Sequence, residues 1–380
     1  MKAPGPENLS PQAHLNSKEN LNFEEIEVFN RLTRVELTEE ERRLAVTPIE
    51  TAQDERRLMA IHFHPEWTPI EFIEARLKRA FPKADDTLII PTQHNQIMTM
   101  GPWAGVEADV FSPSLSQKIQ LLIHFKSSAL TKAGPLMEMM ERTFSYRALQ
   151  LLDVIEALSM PDSEIQKELL KTGLAGQALE IASQYALKVA GLVESQKILG
   201  SQRSVMLKNR LLSDFIQALG KDLPPSLMGE VLSLIKLIKG IVKKRLRPTC
   251  FFSAQEVIEE ARSIDAGVVI PHPPVFWPVL LDDLDVDGWE VWNPSTPSHA
   301  VFLINCLSRA PKGRRPLLAF MGDDTHMSSK IRPKMLDDKV GSESEIGFQH
   351  PWFDAKVQQA LKAAGQSRER TMDEYRSRLS

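Results

Sequence analysis

Leu58-Met59-Ala60-Ile61-His62-Phe63-His64 is the stretch whose reading decides the fold. Four apolar residues predict a short buried strand, and the two histidines stand where it runs out. Alternate residues of a strand point to the same face. Both imidazoles are therefore expected to aim at one spot, and imidazole is a good ligand for Zn, Mn or Fe.

Outward from there the same texture repeats. Pro65-Glu66-Trp67-Thr68-Pro69 leads into a helix predicted over Ile70 to Ala80, with Thr68 as its cap and Pro69 at its first turn. Leu88 to Ile90, Gly105 to Val110 and Ile119 to Ile123 read as further strands, the last ending on His124. Strands also fit Gly267 to Ile270, Gly288 to Trp292 and Leu317 to Phe320, with a helix over Ala300 to Leu307. Short loops between strands and helices favour an α/β domain with much parallel pairing. Between the two groups, 131–248 is helical throughout and reads as a large helical insertion. The barrel-forming parts are then 56–130 and 249–335. Before them lies an N-terminal extension, 1–55, loose over its first twenty residues, with a capping box at Thr38-Glu39-Glu40-Glu41. After them comes a polar tail, 336–380, with one helix from Phe353 to Ala364. The basic run Lys236, Lys239, Lys243, Lys244, Arg245 and Arg247 reads as a solvated helix face near a helix C-terminus.

Composition narrows the classes. The 380 residues are 42% hydrophobic and 25% charged, as in ordinary globular proteins. A formal net charge of −4 disfavours bulk binding to nucleic acid or anionic membrane. Cys250 and Cys306 cannot build a disulfide framework and fit a reducing compartment. No signal peptide and no spanning apolar run is evident, so the expected location is cytoplasmic. Gly-rich phosphate loops, a nucleophile elbow and Cys-x-x-Cys pairs are missing.

Six of the nine histidines, His62, His64, His94, His124, His272 and His326, fall at or just past the end of a strand-like run. In parallel α/β folds the strand C-termini form one face, and that face holds the site. Asp324 adds an oxygen ligand two residues before His326, and Glu107 a carboxylate able to bridge two ions. Mixed imidazole and carboxylate sets suit Zn, Mn or Fe better than Mg.

In this order the elements resemble the PHP (polymerase and histidinol phosphatase) superfamily of metal-dependent phosphoesterases. Its His-x-His opening corresponds to His62-Phe63-His64, and its Thr-Asp-His-Asp-like turn to Thr92-Gln93-His94-Asn95. Gly105-Val106-Glu107, Ile123-His124, His272-Pro273, Gly288-Trp289-Glu290-Val291-Trp292-Asn293 and Gly322-Asp323-Asp324-Thr325-His326 follow in family order. The resemblance implies a distorted (β/α)7 TIM-like barrel holding two or three divalent metal ions at its C-terminal face. His62, His64, Glu107 and Asp324 would hold the first ion, and Glu107, His124 and His272 the second. His94 and His326 would contribute to a third. The implied reaction is hydrolysis of a phosphate ester by metal-bound hydroxide. Glu290 and Asn293 would brace the ligands, and Lys126, Lys330 and Arg332 are the cations to consider for gripping phosphate. The loop after His64 is shorter than the family's, and Gln93 and Asn95 replace acidic residues, which weakens the third site. Glu66 there reads as an exposed carboxylate. A small-molecule phosphoester is the favoured substrate over nucleic acid, with no membrane partner, and the insertion is a candidate surface for self-association. The alternatives are an amidohydrolase-type metal-dependent hydrolase, or a PHP-like scaffold that binds a protein through its insertion.

Overall fold

The computed structural model describes residues 21–208, 210–245, 250–307, 315–332 and 344–379. The loose first twenty residues, Arg247 of the basic run and the start of the tail lie outside these. The chain forms two compact units. One comprises the described residues within Met1–Val35 and Arg147–Leu246, the other those within Glu36–Tyr146 and Arg247–Ser380.

The first unit is helical. It contains α1 (Phe23–Thr33), the later part of α4 (Gly134–Ser159), α5 (Ser163–Thr172), α6 (Gln177–Ser195), α7 (Leu211–Leu219) and α8 (Pro225–Lys244). Helix α1 starts at a reciprocal capping box in which Asn22 accepts from Glu25 N and Glu25 accepts from Asn22 N. Gly173 ends α5 with φ of 70°, a left-handed cap that suits glycine. Phe215 packs edge-on against Phe29 and Tyr185 at the centre of this unit. This compact unit takes up the chain at Arg147, within α4, and also includes part of the N-terminal extension.

The second unit carries eleven short strands among its described residues: β1 (Arg57–Ala60), β2 (Phe63–His64), β3 (Asp86–Ile89), β4 (Gln93–His94), β5 (Met98–Met100), β6 (Trp103–Ser112), β7 (Gln117–Lys126), β8 (Gly267–Ile270), β9 (Gly288–Trp292), β10 (Leu318–Met321) and β11 (Thr325–His326). Its helices include α2 (Glu39–Ala45), α3 (Ile70–Ala80), α9 (Ala254–Ser263), α10 (Ala300–Leu307), α11 (Met327–Ile331), α12 (Ala355–Ala363) and α13 (Arg368–Arg378). Thr38 and Glu41 form the capping box of α2 that their spacing predicts. Strands β10, β9, β8, β7, β6 and β4 pair in that order, while β1 pairs with β3 and β2 with β11. Two breaks explain the small sheets. Chain that would make one strand is interrupted at Ile61-His62 between β1 and β2, and at Gly322 to Asp324 between β10 and β11. His62, His64, Asp324 and His326 sit in or beside these breaks.

Much of the pairing is parallel, as expected, but β5 turns back antiparallel to β6. β7 also runs antiparallel to both β6 and β8. Only Pro113 to Ser116 separates β6 from β7, and four residues cannot make the crossover of a dozen or more that parallel neighbours need. The tail is also more structured than its polarity predicts. Besides α12 it carries α13, whose Met372 and Tyr375 enter the same core as Val106, Ile123 and Val268. No helix of the described residues is long and apolar enough to cross a membrane.

Candidate metal centre

Seven side chains named by the sequence converge: His62, His64, His94, Glu107, His272, Asp324 and His326. Their ring nitrogens and carboxylate oxygens fall into three groups able to hold a metal ion, His62 with His64 and Asp324, His62 with Glu107 and His272, and His64 with His94 and His326. Glu107 lies at the middle. Its Oε1 is 3.8 Å from His62 Nε2 and 3.6 Å from His272 Nε2, and its Oε2 is 3.6 Å from His64 Nε2 and 2.6 Å from His94 Nδ1. Asp324 Oδ1 stands 3.4 Å from His62 Nε2, 3.2 Å from His64 Nε2 and 3.6 Å from His326 Nε2. The rings of His94 and His326 each stack on His64, with centroids 4.5 and 4.2 Å away.

Backbone placement explains the convergence. Pairing of β4 with β6 sets His94 beside Glu107, and pairing of β11 with β2 sets His326 beside His64. Glu66, Asn95, His272 and Asp324 all have positive φ, at 55°, 53°, 29° and 47°. Such backbone costs a non-glycine residue of order 1–3 kcal/mol and persists where the surroundings over-determine it, typically at functional sites.

The donor chemistry fits a cation. His62 Nδ1 lies 2.6 Å from Glu290 Oε1. A carboxylate only accepts, so Nδ1 keeps a hydrogen and Nε2 is the nitrogen able to turn a lone pair towards a cation. That Nε2 is buried without a hydrogen-bond partner, as are both ring nitrogens of His64. Buried polar atoms are rarely left so, and these nitrogens are placed as donors to a cation would be. Burial alone would push His62 down, yet Glu290 and Asp324 carry its pKa well above the imidazole norm. His64 goes the other way, depressed by burial and then by the imidazoles of His326 and His94. Burial opposes ionisation of Glu107 and Asp324, but His94 and His62 respectively hold each carboxyl well below its usual range. For His326 burial is outweighed by Asp324 and Glu66, and its pKa rises to about 9. The seal is deep at one side and open at the other. The His62 side chain is 0% exposed, while His94 and His326 are 17% and 31% exposed, so a substrate would meet the latter pair first.

Glu290 braces the cluster: its Oε2 accepts from His272 N and from Asn293 Nδ2. Three other expectations need correction. His124 is not in the cluster. Because β7 is reversed, its end lies where β6 and β8 begin, opposite Gly105 and Gly267. Lys126, two residues further, is exposed and pairs with Trp103, four register steps or about 13 Å from the level of Glu107. Arg332 is bound to Glu41 at 3.0 Å and lies over the Trp67 ring. Glu66, read as exposed, has a side chain only 3% exposed, with Oε1 3.6 Å from His326 Nδ1 and Oε2 accepting from Ser328 N. Its burial follows from Gln93, whose Oε1 accepts from Glu66 N and turns the short loop inward. Asp109 is a residue that sequence reading missed. It shares a strand face with Glu107, accepts from Asn95 Nδ2 and from Gln120, and so fixes the turn carrying His94.

Burial drives the His124 pKa down from 6.5 to about 3. A neutral native ring and a titrating unfolded one make stability complete above pH 6.5 and progressively lost as pH falls towards 3. The stability difference between wild type and His124→Gln should therefore shift against wild type by about 1.4 kcal/mol per pH unit below 6.5. Urea unfolding across pH 4 to 8 with metal chelated measures it, and parallel pH profiles for the two proteins would contradict a buried neutral His124.

No family model and no curated protein matches the chain. Among solved structures, a protein from Bifidobacterium adolescentis provisionally assigned as a metal-dependent phosphoesterase is 14% identical. The match covers 82% of this chain and 97% of that one, with a TM-score of 0.41. An amidohydrolase from Chromobacterium violaceum, with bound sulfate and no metal, is 13% identical over 70% of this chain and 86% of that one, with a TM-score of 0.34. Both likenesses are too distant to bear on function.

Proposed function

We propose that this chain is a metal-dependent hydrolase of phosphate esters. The observation that carries the reading is the buried set of orphaned imidazole nitrogens facing Glu107 and Asp324. His62, His64 and Asp324 would hold one ion, Glu107 would reach from it towards His272, and His64, His94 and His326, beside Glu66, form the outer group. The pairings support a distorted (β/α)7 barrel. With β1/β2, β3/β4 and β10/β11 each counted as one stave, they run through seven staves and return to the first at β11 and β2. Divalent ions bound there would supply Lewis acidity and positive charge against phosphoryl oxygens. Glu290 keeps the His62 proton on Nδ1 and leaves Nε2 free to donate. His94 and His326 line the open side, where they meet the substrate. The central bridging place is held by Glu107, a carboxylate, and Asp324 is paired with His326. Both features favour a phosphoester over an amide.

The test is metal analysis of purified protein together with phosphoester and amide panels on wild type and His62→Ala. Metal-dependent ester turnover lost in His62→Ala is the expected result, whereas bound metal with amide cleavage alone would overturn the phosphoester assignment. A second check uses Gly322, where a Cβ would sit 1.9 Å from Glu290 Oε1. Gly322→Ala should displace Glu290 from His62 and weaken Zn2+ binding by roughly 10–100-fold, the effect usual for partners that orient a ligand. Chelator competition reads the affinity, and an unchanged value would remove Glu290 from its bracing role.

A further inference from the structure

His124 is a buried histidine that the metal cluster does not use, and its surroundings are built for it. Its cross-strand neighbours are glycine on both sides, Gly105 on β6 and Gly267 on β8. A Cβ on Gly105 would lie 3.1 Å from His124 Cδ2 and only 2.6 Å from Pro91 O. One on Gly267 would lie 2.5 Å from the Tyr375 hydroxyl. The space so kept holds a hydrogen-bonded chain. His124 Nε2 is 2.9 Å from Ile61 O, and His124 Nδ1 is 2.8 Å from Tyr375 Oη. A carbonyl only accepts, so Nε2 carries the hydrogen and Nδ1 accepts from the tyrosine hydroxyl. Ile61, His124 and Tyr375 are all fully buried.

Ile61 O lies in the break between β1 and β2. The carbonyls on either side of the break have backbone partners, Ala60 O accepting from Ile90 N and Phe63 O from Thr92 N. His124 serves Ile61 O, one peptide bond before His62. The ring of His62 is held by Glu290 and the peptide leading into it by His124.

We propose that His124 and Tyr375 are positioning residues of the metal centre. Through them α13 fixes the Ile61-His62 peptide and thereby the direction of His62 Nε2. The last helix thus belongs to the site, although it follows every donor in sequence. The inference rests on the reading of the cluster as a metal centre.

The test uses the full chain, with Zn2+ affinity from chelator competition and the visible spectrum of the Co2+-loaded protein. Tyr375→Phe keeps the ring and removes only the hydroxyl. It should weaken Zn2+ about 10-fold and change the Co2+ bands, and Gly267→Ala should act alike by crowding Tyr375. His124→Leu should lose more, and His124→Gln, which can still donate to Ile61 O, should recover part. Leu361→Ala, in the same core on α12, controls for destabilisation: its melting temperature should fall while affinity and spectrum hold. Wild-type affinity and spectrum in Tyr375→Phe, or equal losses in Leu361→Ala, would reduce the chain to packing and overturn the proposal while leaving the metal reading intact. A wild type that binds no metal would overturn both.

Discussion

Glu107→Gln is expected to empty the cluster: bound divalent metal falls to background, and hydrolysis drops by about 10^3-fold. The magnitude follows from position. The two oxygens of Glu107 face four imidazoles, His62, His64, His94 and His272, at 2.6 to 3.8 Å. No other carboxylate among the described residues reaches as many. Glutamine keeps the shape and removes the charge, and it turns one acceptor into a donor aimed at rings that themselves carry hydrogens. The substitution therefore removes a ligand and also leaves neighbouring imidazoles without the anion that favours a cation between them. Metal content by mass spectrometry checks the first effect and turnover the second. A third readout is independent of activity. Added Zn2+ should raise the melting temperature of wild type, by mass action on the folded state, and leave that of Glu107→Gln in place. Full occupancy in the variant would place the metal elsewhere.

Much of this site was legible because donors and strands obey simple periodicities. His62 and His64 converge as expected, although His62 lies in the break between β1 and β2, and Gly267 to Ile270 and Gly288 to Trp292 are strands at the predicted bounds because glycine and proline punctuate apolar runs. Two of the misread residues share a cause. His124 and Lys126 were placed by the rule that strand ends gather on one face, and that rule needs the strand's direction. Direction was available in the four residues from Pro113 to Ser116, too few for a crossover. Asp109 was equally available, two residues from Glu107 and so on its face. Glu66 was not, since its burial depends on Gln93, 27 residues away. Nor was α13 obvious, since its charged sequence carries only a narrow stripe, Met372, Tyr375 and the C-cap Leu379, that enters the core.

The largest effect on stability is expected away from the donors, at Arg76 and Glu345. Both side chains are 1% exposed, and they meet as a fork, with Arg76 Nε donating to Glu345 Oε1 at 2.6 Å and Nη2 to Oε2 at 2.7 Å. Arg76 Nη1 also donates to Leu44 O, and Glu345 Oε2 accepts from Ile49 N. The pair joins the end of α2, helix α3 and the segment following β11. Arg76→Leu would leave a carboxylate buried without its cation, and Glu345→Leu the converse. Each should cost roughly 3–5 kcal/mol, because desolvation of the surviving charge is no longer offset. The double variant should cost less than the sum, and less than either single one, since apolar side chains leave no buried charge behind. Denaturant unfolding of the four proteins with metal chelated measures the cycle, and strict additivity would mean that the two groups do not act as a pair. The sequence carried half of this. Arg76 falls within the apolar face of α3, between Ile73 and Leu77, where an arginine is stable only against an acid. The acid itself lies 269 residues further on, and only the folded chain brings it there.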